Sequence, residues 1–146
     1  MSREGYIAVV NGPNLNMLGR RQPGIYGTAT LDDIVASLRA GFPQLDIRHE
    51  CRQGEGELVE LIQRFGTDPA CCGIVLNAAA YTHTSLAVAD AVAAVDVPVV
   101  EVHLSNIYAR EAIRRTSLLS PVCAGCICGF GAAGYALAVR ALLQMK

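Results

Sequence analysis

The chain of 146 residues has almost no lysine, since its single lysine is the final residue, Lys146. The body of the chain therefore offers no lysine to form a Schiff base with a substrate or with pyridoxal phosphate, and none to bind phosphate in a P-loop. Charged residues are also few, at 17% of the sequence, whereas ordinary soluble domains contain about 25%. Because 52% of the residues are hydrophobic, we expect part of the surface to be buried between subunits.

Features that would direct the chain to a membrane, to nucleic acid or out of the cell are also missing. The net charge of −1 gives no broad attraction to nucleic acid or to an anionic membrane. No basic region followed by an apolar core stands near the start, so we expect no secretory signal and a cytoplasmic protein. The uncharged stretch Thr116–Val139 is long enough to span a bilayer, but its proline and glycines favour a strand, a turn and a helix.

Six cysteines are present, and three of them form the pattern Cys123-x-x-Cys126-x-Cys128. Without a secretory signal, a disulfide framework is not expected. Alternation along a strand would place Cys126 and Cys128 on one face and Cys123 on the other, whereas metal clusters usually take their ligands from loops. We therefore favour structural thiols and keep a metal or redox protein as an alternative.

Short apolar runs alternate with segments of helical periodicity. This pattern is typical of an α/β protein with a parallel sheet covered on both faces, and we predict one domain over residues 1–146. The predicted strands are Tyr6–Val10, Leu45–Cys51, Gly73–Asn77, Pro98–Val102 and Val122–Cys128. The predicted helices are Leu31–Ala40, Glu55–Phe65, His83–Val95, a short one at Ile107–Arg114, and Tyr135–Met145.

Polar side chains follow three of the predicted strands, in the segments Asn14–Tyr26, Asn77–His83 and His103–Arg114. In open parallel sheets, ligands bind beyond the carboxyl ends of the strands, so we expect these segments to form one site. A connection of roughly 20 residues after the first strand is far longer than is usual, and such loops are often active-site lids. We predict a lid over residues 19–27.

The sequence Glu101-Val-His103 places a carboxylate and an imidazole on the same face at the end of a strand. The carboxylate could orient the imidazole for acid–base catalysis, or the pair could join His83 in a two-histidine, one-carboxylate metal site. We favour the acid–base pair. Ser105 is a candidate N-cap of the following short helix, where free amides and Arg114 would hold a carboxylate or phosphate.

Two further patterns have simpler explanations. The sequence Gly129-Phe-Gly131-Ala-Ala-Gly134 matches a dinucleotide fingerprint, but too little chain follows it for the acidic residue that such sites use, so close packing explains the glycines better. A flavin or nucleotide module at Asn11–Asn16 is disfavoured by Pro13. Asp90 is expected to share a helix face with His83, which begins that helix, and to reach a neighbouring subunit.

Taken together, these residues resemble the type II dehydroquinases (3-dehydroquinate dehydratases) over essentially the whole chain. The matching pieces, in order, are Asn-Gly-Pro-Asn-Leu-Asn (11–16), Arg21 to Tyr26-Gly27, Asn77, Thr82-His-Thr-Ser85, Glu101-Val-His-Leu-Ser-Asn106, Ala-Arg-Glu111 and Ser120-Pro. Segment 52–57 departs from the family in looking about two residues shorter, which leaves one wall of the pocket undetermined.

The resemblance implies a flavodoxin-like fold and the dehydration of 3-dehydroquinate to 3-dehydroshikimate without metal or organic cofactor. It also implies a homododecamer built as four trimers. Tyr26 would be the base, tuned by Arg21, and His103 the acid, supported by Glu101. Asn14 would hold a water that stabilises the enolate. The residues implied to bind substrate are Asn77, His83, Leu104, Ser105 and Arg114, with Asp90 acting near a neighbouring site.

Elementary electrostatics makes a tyrosine base feasible. A phenol has a pKa of about 10, so lowering it to neutrality requires about 4 kcal/mol. One guanidinium roughly 4 Å away, at an effective dielectric constant of about 20, supplies an interaction of that size. Arg21 is therefore sufficient to activate Tyr26, provided that the lid closes and excludes water.

Overall fold

The structure is a computed structural model that describes residues 4–20 and 22–145, apart from the side chain of Tyr26. Within these residues, the strands are β1 (Tyr6–Asn11), β2 (Asp46–Cys51), β3 (Cys71–Asn77), β4 (Val99–His103) and β5 (Gly125–Cys128). They form one parallel sheet in the order β2-β1-β3-β4-β5. This is the flavodoxin-like order, so the predicted α/β fold is confirmed.

Helices cover both faces of the sheet. The α-helices of the described chain are α1 (Pro23–Tyr26), α2 (Leu31–Gly41), α3 (Glu55–Gly66), α4 (Leu86–Ala94) and α5 (Ala133–Gln144). Helices α2 and α5 pack with Ile7 and Val9 of β1, whereas α3 and α4 pack with Ala8 and Val10. Since alternate residues of a strand point to opposite faces, β1 is buried on both sides, as the predicted three-layer sandwich requires.

Local capping explains where two of these helices begin. The Thr30 hydroxyl accepts a hydrogen bond from the Asp33 amide, and the Asp33 carboxylate accepts one from the Thr30 amide, both at 3.1 Å. This capping box starts α2. The Ser85 hydroxyl accepts a hydrogen bond from the Val88 amide at 2.9 Å and starts α4. Across the described ranges, none of the helices has the length and apolar character needed to cross a membrane.

The predicted helix His83–Val95 is wrong at its start. His83 instead ends a 3₁₀ turn, Ala79–His83, and α4 begins only after Ser85, whose backbone is extended. His83 and Asp90 therefore do not share the face of one continuous helix. Asp90 lies exposed on α4.

Two other predicted elements are also corrected. The helix expected over Ile107–Arg114 is two 3₁₀ turns, Ile107–Ala109 and Ala112–Arg115. Its cap is Asn106, whose Oδ1 accepts a hydrogen bond from the Tyr108 amide at 3.1 Å, rather than Ser105. The last strand begins at Gly125, because residues 120–122 form another 3₁₀ turn, so Cys123 lies outside the strand alternation.

The long connection after β1 is partly ordered by local structure. A 3₁₀ turn at Leu15–Met17 anchors its first part, and the buried Leu15 and Leu18 join the core under α2. Helix α1 lies within the predicted lid, and residues 22–25 and 27–30, in and just after that lid, are exposed. The first part of the connection is therefore tied to the core, and the second part lies against solvent.

The ends of β1 and β3 approach so closely that only glycine fits at residue 12. A Cβ atom on Gly12 would lie 2.7 Å from the carbonyl oxygen of Ala78 and 2.8 Å from its carbonyl carbon. We expect Gly12→Ala to lower the free energy of unfolding by about 1–3 kcal/mol, because the backbone must shift. Urea unfolding measures this change.

The matched control is Gly41→Ala at the end of α2, where an added Cβ meets no atom within 4 Å. That substitution should leave stability unchanged or raise it slightly, since alanine favours helix. Equal unfolding midpoints for the two variants would contradict the steric argument.

Candidate active site

A cavity opens at the carboxyl ends of β1, β3 and β4, where the sequence predicted a site. The predicted residues that line it are Asn14, Asn77, His83, His103, Leu104, Ser105 and Arg114. Glu101 is fully buried behind His103. Asp90 does not line this cavity. The topology of the parallel sheet thus brings three chain-distant segments together at one edge.

The first wall of the cavity is the loop after β1. Asn14 adopts a left-handed backbone conformation with φ of 68°, which asparagine tolerates better than most residues. Its backbone amide donates a hydrogen bond to Gln53 Oε1 at 2.8 Å, and Gln53 Nε2 donates one to Asn16 Oδ1 at 2.9 Å. The short segment 52–57 therefore still reaches this loop and holds Asn14 in place.

Asn77 is held from two sides at the end of β3. Its Nδ2 donates a hydrogen bond to the Tyr135 hydroxyl at 3.0 Å, and its Oδ1 accepts one from the Ala79 amide at 3.1 Å. Tyr135 in turn donates to Asn11 Oδ1 at 2.5 Å. Neither Tyr135 nor Asn11 was predicted to position Asn77, although Asn11 belongs to the run 11–16 that matches the family. A phenol among the apolar residues of the first turns of α5 was the available signal for Tyr135.

The centre of the site is the buried pair of Glu101 and His103. His103 Nε2 and Glu101 Oε2 form a hydrogen bond, and the carboxylate also accepts hydrogen bonds from Ser117 Oγ at 2.8 Å and Ser120 Oγ at 2.5 Å. Burial opposes ionisation of Glu101, but the hydrogen bonds from His103, Ser120 and Ser117 outweigh it and hold its pKa below the usual value. The carboxylate is therefore charged and fixed. Neither serine was predicted to contact Glu101, although Ser120 belongs to a pair of residues that matches the family.

His83 presents a defined ring atom to the cavity. Its Nδ1 lies 2.8 Å from the carbonyl oxygen of Thr116. Since a carbonyl only accepts, Nδ1 carries the proton, and Nε2 of the neutral ring is an acceptor. Burial lowers the pKa of His83, with further lowering by His103 and Arg114, although the hydrogen bond to Thr116 opposes this. The ring stacks on His103 with centroids 6.2 Å apart.

Within the described residues, the guanidinium groups that line the cavity belong to Arg110 and Arg114, and of these Arg114 was predicted. Arg114 Nε donates a hydrogen bond to Glu111 Oε1 at 2.6 Å, and Arg110 lies 3.8 Å from the same oxygen. Arg110 lines the cavity together with Arg114. The signal for Arg110 was its place in the run Ala-Arg-Glu111, seven residues after His103 and inside the polar segment that was expected to form the site. Two cations beside one carboxylate favour an anionic ligand.

A metal at this site would use a different ligand set from the predicted one. Glu101, His103 and Cys126 bring potential ligand atoms within 4.8 Å of one another, and His83 is not part of that group. The Glu101 carboxylate already accepts hydrogen bonds from three side chains. Burial raises the pKa of the Cys126 thiol to about 11, so it is protonated at neutral pH. The donor set is better explained as an oriented imidazole than as a metal centre.

The predicted base is Tyr26, and its predicted activating partner is Arg21. Arg21 lies outside the described residues, as does the side chain of Tyr26, whose backbone ends α1. A second cavity is lined by lid residues Gly24, Ile25 and Gly27 and shares Leu104, Ser105 and Arg110 with the first. The backbone of the predicted lid segment therefore borders the candidate site.

Comparison with known proteins identifies the family. The family model described as dehydroquinase class II matches residues 5–143. The chain belongs to the class II dehydroquinase family. A 3-dehydroquinate dehydratase from Pelodictyon phaeoclathratiforme is 54% identical over 139 residues, covering 95% of this chain and 92% of that protein. Another from Brucella canis is 55% identical over 138 residues, covering 93% and 87%.

Solved structures agree with the family membership. The type II dehydroquinase from Propionibacterium acnes superposes with a TM-score of 0.93 at 39% identity, covering 99% of this chain and 100% of that one. The type II dehydroquinase from Butyrivibrio crossotus gives a TM-score of 0.90, also at 39% identity, covering 97% and 99%. The resemblance and the flavodoxin-like fold stated from the sequence are both confirmed.

The charge of Glu101 makes stability depend on pH. Its folded pKa lies below the usual value of 4.5, so its ionised form stabilises the fold above that pH and the stabilisation is lost as the pH falls through the folded pKa. We expect Glu101→Gln to lower the free energy of unfolding by about 1.5–3 kcal/mol at pH 6.5. The difference from the wild type should shrink below pH 4.5, as urea unfolding from pH 6.5 to 3.5 will measure.

Glu60→Gln on the exposed face of α3 is the control. It should show a small difference from the wild type over the whole pH range. A difference for Glu101→Gln that stays constant, or grows as the pH falls, would contradict an ionised Glu101.

Proposed function

We propose that this chain is a 3-dehydroquinate dehydratase, a hydro-lyase that converts 3-dehydroquinate to 3-dehydroshikimate and water. The reaction is an anti elimination through an enolate, with Tyr26 as base and His103 as acid. The observation that carries the proposal is the Glu101–His103 pair, buried at a cavity where cations and amides converge in a member of the class II dehydroquinase family. The protein is proposed to be one cytoplasmic domain over residues 1–146, with its lid at residues 19–27.

His103 is suited to the role of acid because one of its nitrogens is already committed. Nε2 is held by the ionised Glu101, which leaves Nδ1 as the nitrogen that exchanges a proton with the substrate. The hydrogen bond to the carboxylate fixes the plane of the ring, which keeps Nδ1 aimed in one direction. The proton given to the departing hydroxyl then comes from Nδ1.

The base must remove a proton alpha to a ketone. No lysine is present in the body of the chain to form an imine, so hydrogen bonds must hold the charge of the enolate. Tyr26, activated by Arg21, takes this proton in the closed lid, and Asn14 holds the water that donates to the enolate oxygen. The fixed backbone of Asn14 supports this role, because its amide is tied to Gln53.

The remaining residues of the cavity bind the substrate. Asn77, His83, Leu104 and Ser105 are proposed to contact its hydroxyl and carboxylate groups, and Arg114 supplies a cation. Arg110 joins Arg114 in this proposal, since both line the cavity. The neutral His83 offers Nε2 as an acceptor, so a substrate hydroxyl can donate to it.

The assembly is proposed to be a homododecamer of four trimers, with Asp90 acting near the site of a neighbouring subunit. Large apolar side chains on the surface of this chain support an assembly. Leu86 and Ile113 are each 68% exposed and Phe130 is 67% exposed. Leu86 and Asp90 are one helical turn apart on α4, so they lie on the same side of that helix. An interface that covers Leu86 would also bring Asp90 to the partner.

Removing the proposed base or acid should abolish most of the turnover. We expect Tyr26→Phe and His103→Ala each to lower kcat by about 10²–10⁴-fold, because each removes a proton-transfer group. The assay follows the ultraviolet absorbance of the conjugated enone formed from 3-dehydroquinate. Both variants should keep a folded structure by circular dichroism.

Tyr6→Phe is the matched control for the tyrosine. Tyr6 is a buried phenol whose hydroxyl donates a hydrogen bond to Asp68 at 2.7 Å, at the opposite edge of the sheet. This control should keep the wild-type turnover. A fully active Tyr26→Phe protein would refute Tyr26 as the base, and a wild-type protein without turnover would refute the proposed function.

A metal-dependent reaction is the alternative that the grouping of Glu101, His103 and Cys126 would support. We expect dialysis against EDTA to leave kcat unchanged, because the carboxylate of this group is already occupied by hydrogen bonds. Elemental analysis of the purified protein accompanies the assay. A different result would instead establish a metal enzyme. Turnover would be lost on dialysis, and one added divalent metal would restore it in the wild type but not in Cys126→Ala.

A further inference from the structure

A chain of hydrogen bonds with a single direction runs beneath the substrate cavity. It starts at the Ala79 amide, passes through the side chains of Asn77 and Tyr135, and ends at Asn11 Oδ1. Asn11 and Tyr135 are buried, with at most 1% of either exposed, and Asn77 is 3% exposed. Asn77 and Ala79 both line the cavity, and Asn77 is the one that joins this network through its side chain.

The donors and acceptors in this chain allow one arrangement. A backbone amide can only donate, so Ala79 requires Asn77 to present its Oδ1. That orientation turns Asn77 Nδ2 toward Tyr135, whose oxygen must then accept. The single proton of the hydroxyl is left for Asn11 Oδ1 at 2.5 Å. The backbone amide of Ala79 therefore sets the orientation of the Asn77 side chain, and the Tyr135 hydroxyl passes this constraint on to Asn11.

The starting point of the chain is itself fixed by the backbone. Ala79 has a positive φ of 52°, a conformation that costs an alanine free energy and persists where the surrounding structure enforces it. Burial raises the pKa of Tyr135 above its usual value, so the hydroxyl keeps its proton over the working pH range. Within the described residues, Asn11 Nδ2 has no hydrogen-bond partner, which is a cost of this arrangement.

We infer that Tyr135 is a positioning residue, which locks the amide of Asn77 so that one N–H and one oxygen lone pair face the substrate in a fixed order. Without the hydroxyl, Asn77 keeps its hydrogen bond to Ala79 but loses the one that holds Nδ2. The amide then rotates more freely, and the contacts that it makes to substrate hydroxyl groups are misplaced. This inference rests on the proposed function, because Asn77 is assigned there to substrate binding.

The test is a double-mutant cycle on Tyr135→Phe and Asn77→Ala. The first substitution removes the hydroxyl and keeps the ring, so we expect the fold to survive and kcat/KM for 3-dehydroquinate to fall by about ten-fold to one-hundred-fold, as misplacement of a contact group predicts. In the Asn77→Ala background, Tyr135→Phe should change kcat/KM by less than two-fold. Coupling of this kind isolates an effect that acts through Asn77.

Tyr6→Phe is again the matched control, since it removes the hydroxyl of another buried phenol far from the cavity. It should lower stability to a similar extent and leave kcat/KM unchanged in both backgrounds. Wild-type kcat/KM in Tyr135→Phe, or additive losses in the cycle, would overturn the inference. Asn11→Ala gives a second test, because loss of the acceptor frees the hydroxyl proton to turn toward Asn77 and should also lower kcat/KM.

A readout independent of turnover separates this inference from the proposed function. With ¹⁵N-labelled asparagine, the side-chain signals of Asn77 are assigned by their loss in Asn77→Ala. Tyr135→Phe should shift these signals and speed their exchange with deuterated water, even if the protein does not act on 3-dehydroquinate. Unchanged signals and exchange rates would overturn the inference, whereas an inactive wild type would overturn the proposed function alone.

Discussion

The buried carboxylate of Glu101 is the constraint on which the site depends. A charge removed from water must be compensated by hydrogen bonds, and here they come from His103, Ser117 and Ser120. These hydrogen bonds hold segment 116–122 against Glu101 of β4. The same segment is tied to the loop after β3, since Leu118 donates its amide hydrogen bond to Thr82 and the carbonyl of Thr116 accepts one from His83. One ionised group therefore organises two walls of the cavity.

The sheet and the location of the site could be predicted from sequence because both depend on short-range patterns. Apolar runs indicate buried parallel strands, and the carboxyl ends of such strands meet at one edge whatever the details of the loops. The turn from His83 to Leu86 could not be predicted in this way, because a 3₁₀ turn followed by a capped helix has the same apolar spacing as one longer helix. Ser85 was the signal that separates the two elements, since its hydroxyl caps α4.

The supporting residues escaped prediction for a different reason. Tyr135 contacts Asn77 across 58 positions of sequence and Asn11 across 124, and no local pattern records such a pairing. The strained residues Asn14 and Ala79 are similar, because the need for a positive φ appears only once the strand ends are fixed in space. Local sequence patterns therefore do not predict these residues, which lie at the edge of the sheet that carries the candidate site. Backbone strain commonly occurs at such sites.

The site divides into a rigid half and an exposed half, and the proposed chemistry follows this division. The proposed acid, His103, is buried and held by an ionised partner before any substrate arrives. The proposed base, Tyr26, belongs to the predicted lid, and residues 22–25 and 27–30 around it are exposed. Removing a phenolate from water costs free energy. A phenol carried on a lid would therefore ionise only when closure brings it together with the substrate and the activating cation. In the proposed mechanism, a fixed acid and a base activated only on closure would keep the reactive anion from forming in an empty cavity.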